Sequence, residues 1–302
     1  MYQVGFYFKK YTWMVVLLAV GVGLFCPGFG LVFQKYVPYL LMLLMFLGCL
    51  NMDLGRSVKH LKKIRKVLLS LFVVHLGSAL LVLAFRSFFS DEIFLGLIIA
   101  AAAPVGVSVV FLSDLYGGSK HKSLVIAFLS NILCPLLFPF VVHLLAGRVI
   151  EIDWMSIFWK TFILVVIPVG LAILMQNTIL NKILSRNGTF VSVAALFFLV
   201  VGVISPVSAV VMANLGLVWW LMGFVAVLVL LNFGVGFWLG SDYKAKVTYA
   251  IVLSYKNFSL AMVIALSMFG PMVALPAVVY TLVNNLLLIP LQLVFVKDKQ
   301  KR

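Results

Sequence analysis

Long apolar runs follow one another along nearly the whole chain, and they constrain the fold more than any other feature. Each run has about 20 residues, the length that a helix needs to cross roughly 30 Å of hydrocarbon. Because 65% of the residues are hydrophobic and only 10% are charged, a soluble core could not bury this much apolar surface. The runs do not alternate with polar residues, which excludes a transmembrane β-barrel. We therefore predict an all-α integral membrane protein and exclude soluble enzymes, DNA-binding modules and disordered regulators.

Ten windows of this kind can be placed, and each is expected to form one transmembrane segment. They cover residues 11–33, 37–53, 67–86, 93–116, 122–146, 154–176, 190–212, 216–239, 247–269 and 273–296. The first window has basic residues before it, as a signal peptide would, but no small-residue cleavage site follows it. We interpret it as a retained span.

The basic residues support the count of ten windows and orient them. With the N-terminus in the cytoplasm, eighteen lysines and arginines fall on the cytoplasmic side, and only Lys35, Arg86 and Arg148 fall on the other. This bias follows the positive-inside rule, and one span more or fewer would scramble it. The net charge of +15 therefore indicates topology and contact with anionic lipid headgroups, not nucleic acid. We expect a multi-pass protein of the cell (inner) membrane with both termini in the cytoplasm.

Two windows are interrupted near the middle of the membrane. The fourth contains Pro104 and Gly106, which break or loosen a helix. The ninth contains a polar cluster at residues 254–259 that includes Lys256, and a lysine at the midplane is costly and usually functional. Each interrupted window is the fourth in a set of five, and the two sets enter the membrane from opposite sides. Broken helices at corresponding positions are typical of inverted-repeat carriers, which bind substrate at the midplane. We predict two five-helix repeats, residues 1–153 and 154–302, within one membrane unit.

Several stretches of the chain are similar to one family of carriers. Residues 101–118 (AAAPVGVSVVFLSDLYGG) and 129–140 (LSNILCPLLFPF) resemble the fourth and fifth helices of the bile acid:sodium symporter family. Residues 257–291 resemble its ninth and tenth helices, and 47–55 the end of its second. The resemblance implies a panel domain of helices 1, 2, 6 and 7, and a core domain of helices 3–5 and 8–10 in which helices 4 and 9 cross. It also implies transport of organic anions such as bile acids or small carboxylates, generally with sodium.

The chain departs from the family at the positions that would bind sodium. A Ser-Asn pair in the fourth helix is replaced by Val109 and Val110. In the ninth helix Val252 stands for a glutamate and Lys256 for a glutamine, while Asn257 is kept. Sodium needs several oxygen ligands, and an ammonium group beside them would repel a second cation. We therefore expect a carrier that is not coupled to sodium, in which Lys256 holds the anion as a fixed charge or releases its proton during the cycle.

The candidate site follows from the two breaks and the polar residues near them. The amino ends of half-helices carry partial positive charge, and Lys256 adds a full one, so the site suits a carboxylate or sulfonate. The candidate substrate-binding residues are Pro104, Gly106, Ser108, Asn131, Ser254, Lys256, Asn257 and Asn285. For coupling, the candidates are Lys256 and His75, although a buried neutral histidine is the simpler interpretation of His75.

The expected partners are a small organic anion and membrane lipids, with no nucleic acid and no obligatory protein partner. No metal is expected, because the three cysteines lie in apolar runs without metal-binding spacing. No catalytic residue and no cofactor are expected either. Two alternatives remain. An arsenite permease has a similar ninth helix, but such carriers use a cysteine beside the proline, where this chain has Ala103 and Val105. A membrane-embedded enzyme would need clustered carboxylates at the membrane face, and the chain has only eight acidic residues.

Overall fold

A computed structural model describes residues 12–50, 64–147, 150–176 and 178–300. Within these ranges the regular structure is helical, apart from one isolated β-bridge between Val105 and Lys256. The basic loop after the second window, and with it part of the stretch 47–55, lies outside the described residues.

The helices are numbered here in chain order. The first seven are α1 (Thr12–Phe25), α2 (Pro27–Gln34), α3 (Val37–Cys49), α4 (Ile64–Ala84), α5 (Asp91–Ala102), α6 (Val109–Leu115) and α7 (Lys120–Ala146). The next six are α8 (Trp154–Met175), α9 (Ile179–Ala213), α10 (Leu215–Leu239), α11 (Tyr243–Ser254), α12 (Phe258–Phe269) and α13 (Pro271–Gln300). Two of them contain a π-helical turn, at Val73–Gly77 in α4 and at Phe162–Val166 in α8. Every predicted window thus contains a helix or a pair of helices.

The first window is not one straight helix, contrary to the sequence-based expectation. α1 and α2 meet at an angle of 106°. Pro27 begins α2 and has no N–H to donate back into α1, so the helical hydrogen bonding stops at this point. Cys26, one of the three cysteines that lie in apolar runs, is exposed at the bend.

Length and hydropathy divide the windows into two kinds. Among the described residues, six helices are long and apolar enough to cross a membrane, and the bent α1–α2 pair would make a seventh. The six are α4, α7, α8, α9, α10 and α13. The remaining three windows hold the short helix α3 and the broken pairs α5–α6 and α11–α12. The chain is therefore a multi-pass helical membrane protein in which some windows contain shorter or interrupted helices.

The helices pack in two groups. In one, α9 packs against α1, α2 and α3, and α8 packs against α3. In the other, α13 packs against α5, α10 and α12, while α10 packs against α11 and α7 against α5 and α6. The groups touch where α7 meets α8 and where α9 meets α13. Apolar side chains such as Trp238, which is 82% exposed, cover the outside, as expected for a surface in contact with lipid.

Candidate functional site

The breaks in the fourth and ninth windows lie against each other. The amide of Asn257 donates to the carbonyl of Pro104 (2.6 Å), and the amide of Gly106 donates to the carbonyl of Tyr255 (3.0 Å). A Cβ on Gly106 would lie 3.0 Å from the carbonyl oxygen of Lys256, closer than most side chains tolerate. The crossing is thus a short antiparallel contact between two extended segments, and it needs glycine at position 106.

The two breaks have different local causes. After α5, Ala103 adopts an extended conformation (φ −55°, ψ 146°), as expected for a residue that precedes a proline. The ninth window has no proline. There the side-chain oxygen of Asn257 accepts a hydrogen bond from the amide of Leu260 (3.2 Å) and caps α12, which starts a new helix instead of continuing α11.

The ammonium group of Lys256 is enclosed by protein oxygens. It donates to the carbonyl of Val74 (2.6 Å), to the hydroxyl of Ser78 (3.0 Å) and to the carbonyl of Ala101. Val74 belongs to the π-helical turn of α4, and Ala101 lies in the last turn of α5, where the helix dipole is negative. The hydroxyl of Ser78 donates in turn to the side-chain oxygen of Asn232 (3.0 Å). These partners are neutral, so the charge of Lys256 is hydrogen-bonded without a carboxylate among them.

His75 lies in the same region of α4 and contacts the next carbonyl of α5. Its Nδ1 lies 3.1 Å from the carbonyl oxygen of Ala102, and its Nε2 lies 3.0 Å from the hydroxyl of Ser130. That hydroxyl also accepts from the amide of Val105 (3.0 Å). One neutral tautomer, with the proton on Nδ1, satisfies every one of these contacts, and it is assigned on that basis. His75 therefore connects α4, α5 and α7 behind the crossing.

A cavity of about 600 Å³ lies on the other side of the crossing, between the two groups of helices. Its floor includes Gly106, Ser108, Lys256, Asn257 and Asn285, five of the predicted site residues. The opposite wall is mainly apolar and belongs to α1, α3 and α9. It includes Val16, Leu41, Leu44, Met45, Leu196 and Val200.

The cavity extends toward the face predicted to be cytoplasmic. Asp114, Lys120 and His121 line that end, together with Thr12 and Thr189. The crossing forms the opposite end.

The other predicted site residues support the crossing and do not line the cavity. The side-chain NH₂ of Asn131 donates to the backbone carbonyls of Val105 (2.9 Å) and Ala127 (2.8 Å), and the carbonyl of Pro104 accepts from the backbone amide of Asn257 as described above. The hydroxyl of Ser254 bonds within its own helix to the carbonyl of Ala250 (2.7 Å). His75 is likewise outside the cavity lining.

The sequence analysis missed several residues that the fold brings to the cavity. Asn284 donates to the carbonyl of Ser254 (3.4 Å), and its backbone carbonyl accepts from the hydroxyl of Tyr255 (2.8 Å). Thr189 and Ser192 of α9 and Met45 of α3 line the opposite side. The neighbouring Asn284-Asn285 pair in an apolar window was the available signal for Asn284, whereas single hydroxyls in α9 gave none.

The positions that would supply sodium ligands are apolar and packed. Val109 and Val252 are fully buried in one apolar cluster, and Val110 packs against it. Their side chains carry no oxygen, so these positions could offer a cation only backbone carbonyls. Within the described ranges, no group of three or more His, Cys, Asp or Glu residues is arranged to hold a metal ion.

The chain is similar in sequence to known membrane transporters. The model of the Sodium Bile acid symporter family matches residues 38–216, which include Pro104 and the crossing segment that follows it. The chain is 23% identical over 285 residues to the sodium-dependent transporter YocS of Bacillus subtilis (strain 168), covering 91% of this chain and 86% of that protein. It is 28% identical over 171 residues to YbaS of the same organism, covering 54% of this chain and 53% of YbaS. Because the family model covers more than half of the chain, the protein belongs to the sodium bile acid symporter family of membrane transporters.

Proposed function

We propose that this transporter moves a small organic anion by alternating access and does not use sodium. The observation that carries the proposal is the charge of Lys256, which lies at the crossing and whose partners in the described part of the chain are all neutral. An anion at the floor of the cavity would supply the missing negative charge, whereas a cation would be repelled. The apolar wall opposite leaves room for the uncharged body of the molecule.

Asn257 is the residue proposed to orient the anion. Its backbone amide and side-chain oxygen are both used, at Pro104 and Leu260. Among the residues that the structure describes, its side-chain NH₂ has only the sulfur of Met45 as a partner, at 3.6 Å, and sulfur is a weak acceptor. A carboxylate would be a much stronger acceptor for this donor.

The proposed topology has ten spans in two inverted repeats, residues 1–153 and 154–302, with both termini in the cytoplasm of the cell (inner) membrane. Six long helices, the bent α1–α2 pair, α3 and the two broken pairs occupy the ten windows. The packing groups support a panel formed by the first, second, sixth and seventh windows, which hold α1–α2, α3, α8 and α9. The other six windows would form the core. Labelling of single cysteines at Lys35 and Lys120 in a cysteine-free background tests this topology. We expect Lys35 to react from outside and Lys120 only after permeabilisation, and equal labelling of both from outside would contradict it.

Alternating access would then be movement of the core against the panel. The cavity lies at the boundary between these groups and extends to the predicted cytoplasmic face, so the structure would represent an inward-open form. Either uptake or efflux is compatible with this form.

Sodium independence is proposed from Lys256 and from the valines at the family's sodium positions. YocS is named as sodium-dependent. In this chain Val109, Val110 and Val252 offer no side-chain oxygen, and the ammonium of Lys256 already occupies a set of buried oxygens. If Lys256 stays charged, the anion moves by facilitated transport, and if it releases its proton, transport is coupled to protons. The pH dependence of transport by Lys256→Gln tests this, because loss of the pH dependence with transport retained would favour proton coupling.

The arsenite alternative has no support at the site. Ala103 and Val105 flank the proline and are fully buried, and none of the three cysteines lines the cavity. Arsenite is kept as one arm of the transport assay, where we expect no uptake.

The test is transport in proteoliposomes after a thermal-shift screen of carboxylates and sulfonates. We expect uptake of the stabilising anion to be equal in sodium and potassium at constant pH and membrane potential. A strong sodium requirement of the unmodified protein would overturn the proposed coupling.

A matched pair of variants tests the anion site itself. Asn257→Asp keeps the helix cap but replaces the donor by a negative charge, so anion affinity should fall at least about tenfold. Asn214→Asp is the control, because the side-chain NH₂ of Asn214 donates to the backbone carbonyl of Val210 and Asn214 lies outside the cavity lining. Equal anion affinity of the two variants would remove Asn257 from the site.

A further inference from the structure

The three oxygens around Lys256 form a defined cage, which consists of the Val74 carbonyl, the Ser78 hydroxyl and the Ala101 carbonyl. All three residues are at most 1% exposed, and Lys256 is 5% exposed. The ammonium group has three N–H donors, and each finds one of these acceptors. Carbonyls at half-helix carboxyl ends, with a hydroxyl beside them, are also the ligands that small monovalent cations bind in membrane carriers.

The cage is built by the surrounding helices and not by the lysine. The π-helical turn Val73–Gly77 changes the regular helical hydrogen bonding of α4, and the carbonyl of Val74 turns to Lys256. Ala101 is near the end of α5, whose helix stops before Pro104, so its carbonyl lacks the partner that a continuing helix would provide.

The orientation of Ser78 is also fixed without the lysine. Its hydroxyl proton is donated to the side-chain oxygen of Asn232, which is 4% exposed. The lone pairs of the Ser78 oxygen therefore face the cage. Three acceptors are thus directed at one point before any positive charge is considered.

We infer that this cage is a site for a monovalent cation, which the ammonium group of Lys256 occupies from within the chain and which a free cation occupies once that side chain is shortened. The inference rests on the proposed replacement of a coupling ion by Lys256. The cage oxygens belong to Val74, Ser78 and Ala101, which are different residues from Val109, Val110 and Val252 at the family's sodium positions. The cations expected to bind in the cage are Na⁺, Li⁺, ammonium and methylammonium. Methylammonium resembles the end of the lysine side chain that the substitution removes.

The experiment measures the thermal unfolding of the purified full-length protein at constant ionic strength. Choline chloride is compared with the chlorides of sodium, lithium, potassium, ammonium and methylammonium. The unmodified protein should unfold at the same temperature in every salt, because its cage is filled. Lys256→Ala should unfold earlier in choline and regain about 5–10 °C, saturably, when one of the small cations is present at about 100 times its Kd.

Three control variants separate a cage from a general salt effect. Lys256→Met fills the space without a charge and should show no cation-specific shift. Adding Ser78→Ala to Lys256→Ala removes one of three oxygens and should raise the cation Kd about tenfold or more. Lys66→Ala removes a lysine that donates to the carbonyl of Leu239 (2.6 Å) at the partly buried end of α10, where water can replace it, so no cation effect is expected.

The inference fails if Lys256→Ala unfolds at one temperature in all salts, or if Lys256→Met responds to cations as strongly. If the alanine variant cannot be purified, Lys256→Ser is measured in the same way. Failure to recover either small variant in any small-cation buffer also overturns the inference, because a filled cage should restore them. Transport is not measured here, so the cation site and the organic-anion function can fail independently.

Discussion

The carboxyl ends of α5 and α11 both lie at the crossing but differ in their chemistry. At the end of α5, the carbonyl of Ala101 accepts from the Lys256 ammonium and that of Ala102 lies against His75. At the end of α11, the carbonyl of Ser254 accepts from the neutral amide of Asn284, at the long distance of 3.4 Å. Both ends carry the partial negative charge of a helix terminus. The protein thus neutralises one break with a full charge and leaves the other with an amide.

This difference shows how a pair of similar breaks can take on different tasks. The carboxyl end of α5 lies against α4, and oxygens of both helices accept from Lys256. This end is therefore suited to a fixed cation. The neutral end lies beside Asn284, Asn285 and Tyr255, three residues that line the cavity. The segment that joins α11 to α12, from Tyr255 to Asn257, therefore has one side toward the cage and one toward the cavity.

The largest expected effect is at the charged end. Lys256→Met leaves three buried acceptors without a donor, which should lower the free energy of unfolding by about 3 kcal/mol or more. Asn284→Ala removes one long hydrogen bond at the neutral end and should cost about 1 kcal/mol or less. Thermal unfolding of the two purified variants checks this order, and equal losses would mean that the two ends are energetically alike.

The next effect concerns the contact between the breaks. Gly106→Ala places a methyl group 3.0 Å from the Lys256 carbonyl oxygen and 3.3 Å from its carbon, both backbone atoms that cannot rotate away. We expect a loss of about 1–3 kcal/mol from overpacking. Gly223→Ala is the control, since no atom lies within 4 Å of the added Cβ. If Gly106→Ala is as stable as this control, the two segments are not held at the distance observed.

Ser130 and Ser254 allow the stability contributed by one hydroxyl at each break to be compared. The hydroxyl of Ser130 satisfies the amide of Val105 and contacts His75, so Ser130→Ala should cost about 1–3 kcal/mol by leaving a buried N–H unpaired. Within the described ranges the hydroxyl of Ser254 bonds only inside its own helix, and Ser254→Ala should change stability by less than about 0.5 kcal/mol. Chemical or thermal unfolding in the same detergent measures both, and the reverse order would contradict the network assigned to the first break.

The smallest effect lies at the other end of α11, outside the membrane-spanning part. The amide of Ala245 donates to Asp242 and lowers the pKa of that carboxyl from its ordinary value of 3.8. Because the pKa in the folded state is lowered, the cap stabilises the fold above pH 3.8 and is lost as the pH falls below that value.

A matched variant isolates this pH dependence. Asp242→Asn keeps the cap without a titrating group, so the unmodified protein should lose more stability than the variant between pH 5 and pH 3. Melting temperatures across that range measure the difference. Identical pH dependence of the two proteins would exclude a contribution from Asp242.

The sequence by itself determined the class of protein and the two windows, the fourth and the ninth, in which a helix is interrupted near the middle of the membrane. Runs of about 20 apolar residues have no stable alternative to helices in a membrane, because hydrocarbon offers no partner for an unpaired backbone. Pro104 lacks an N–H, and a lysine in the middle of an apolar window marks a special environment. These features are local, so they could be identified without knowing what packs against them.

Only the tertiary structure decided where the side chains at the breaks are directed. Asn131 and Ser254 were grouped with the substrate-binding residues and His75 with the coupling residues, yet all three bond to helix backbones away from the cavity. Lys256 reaches the π-helical turn of α4, 182 residues away in the chain. The π-helical turns of α4 and α8 have no comparable signal in the sequence, whereas the bend at Cys26 does have one, Pro27, which the sequence analysis did not use. The direction of a buried polar side chain is set by which distant backbone groups lack a partner, and that is known only when the helices are assembled.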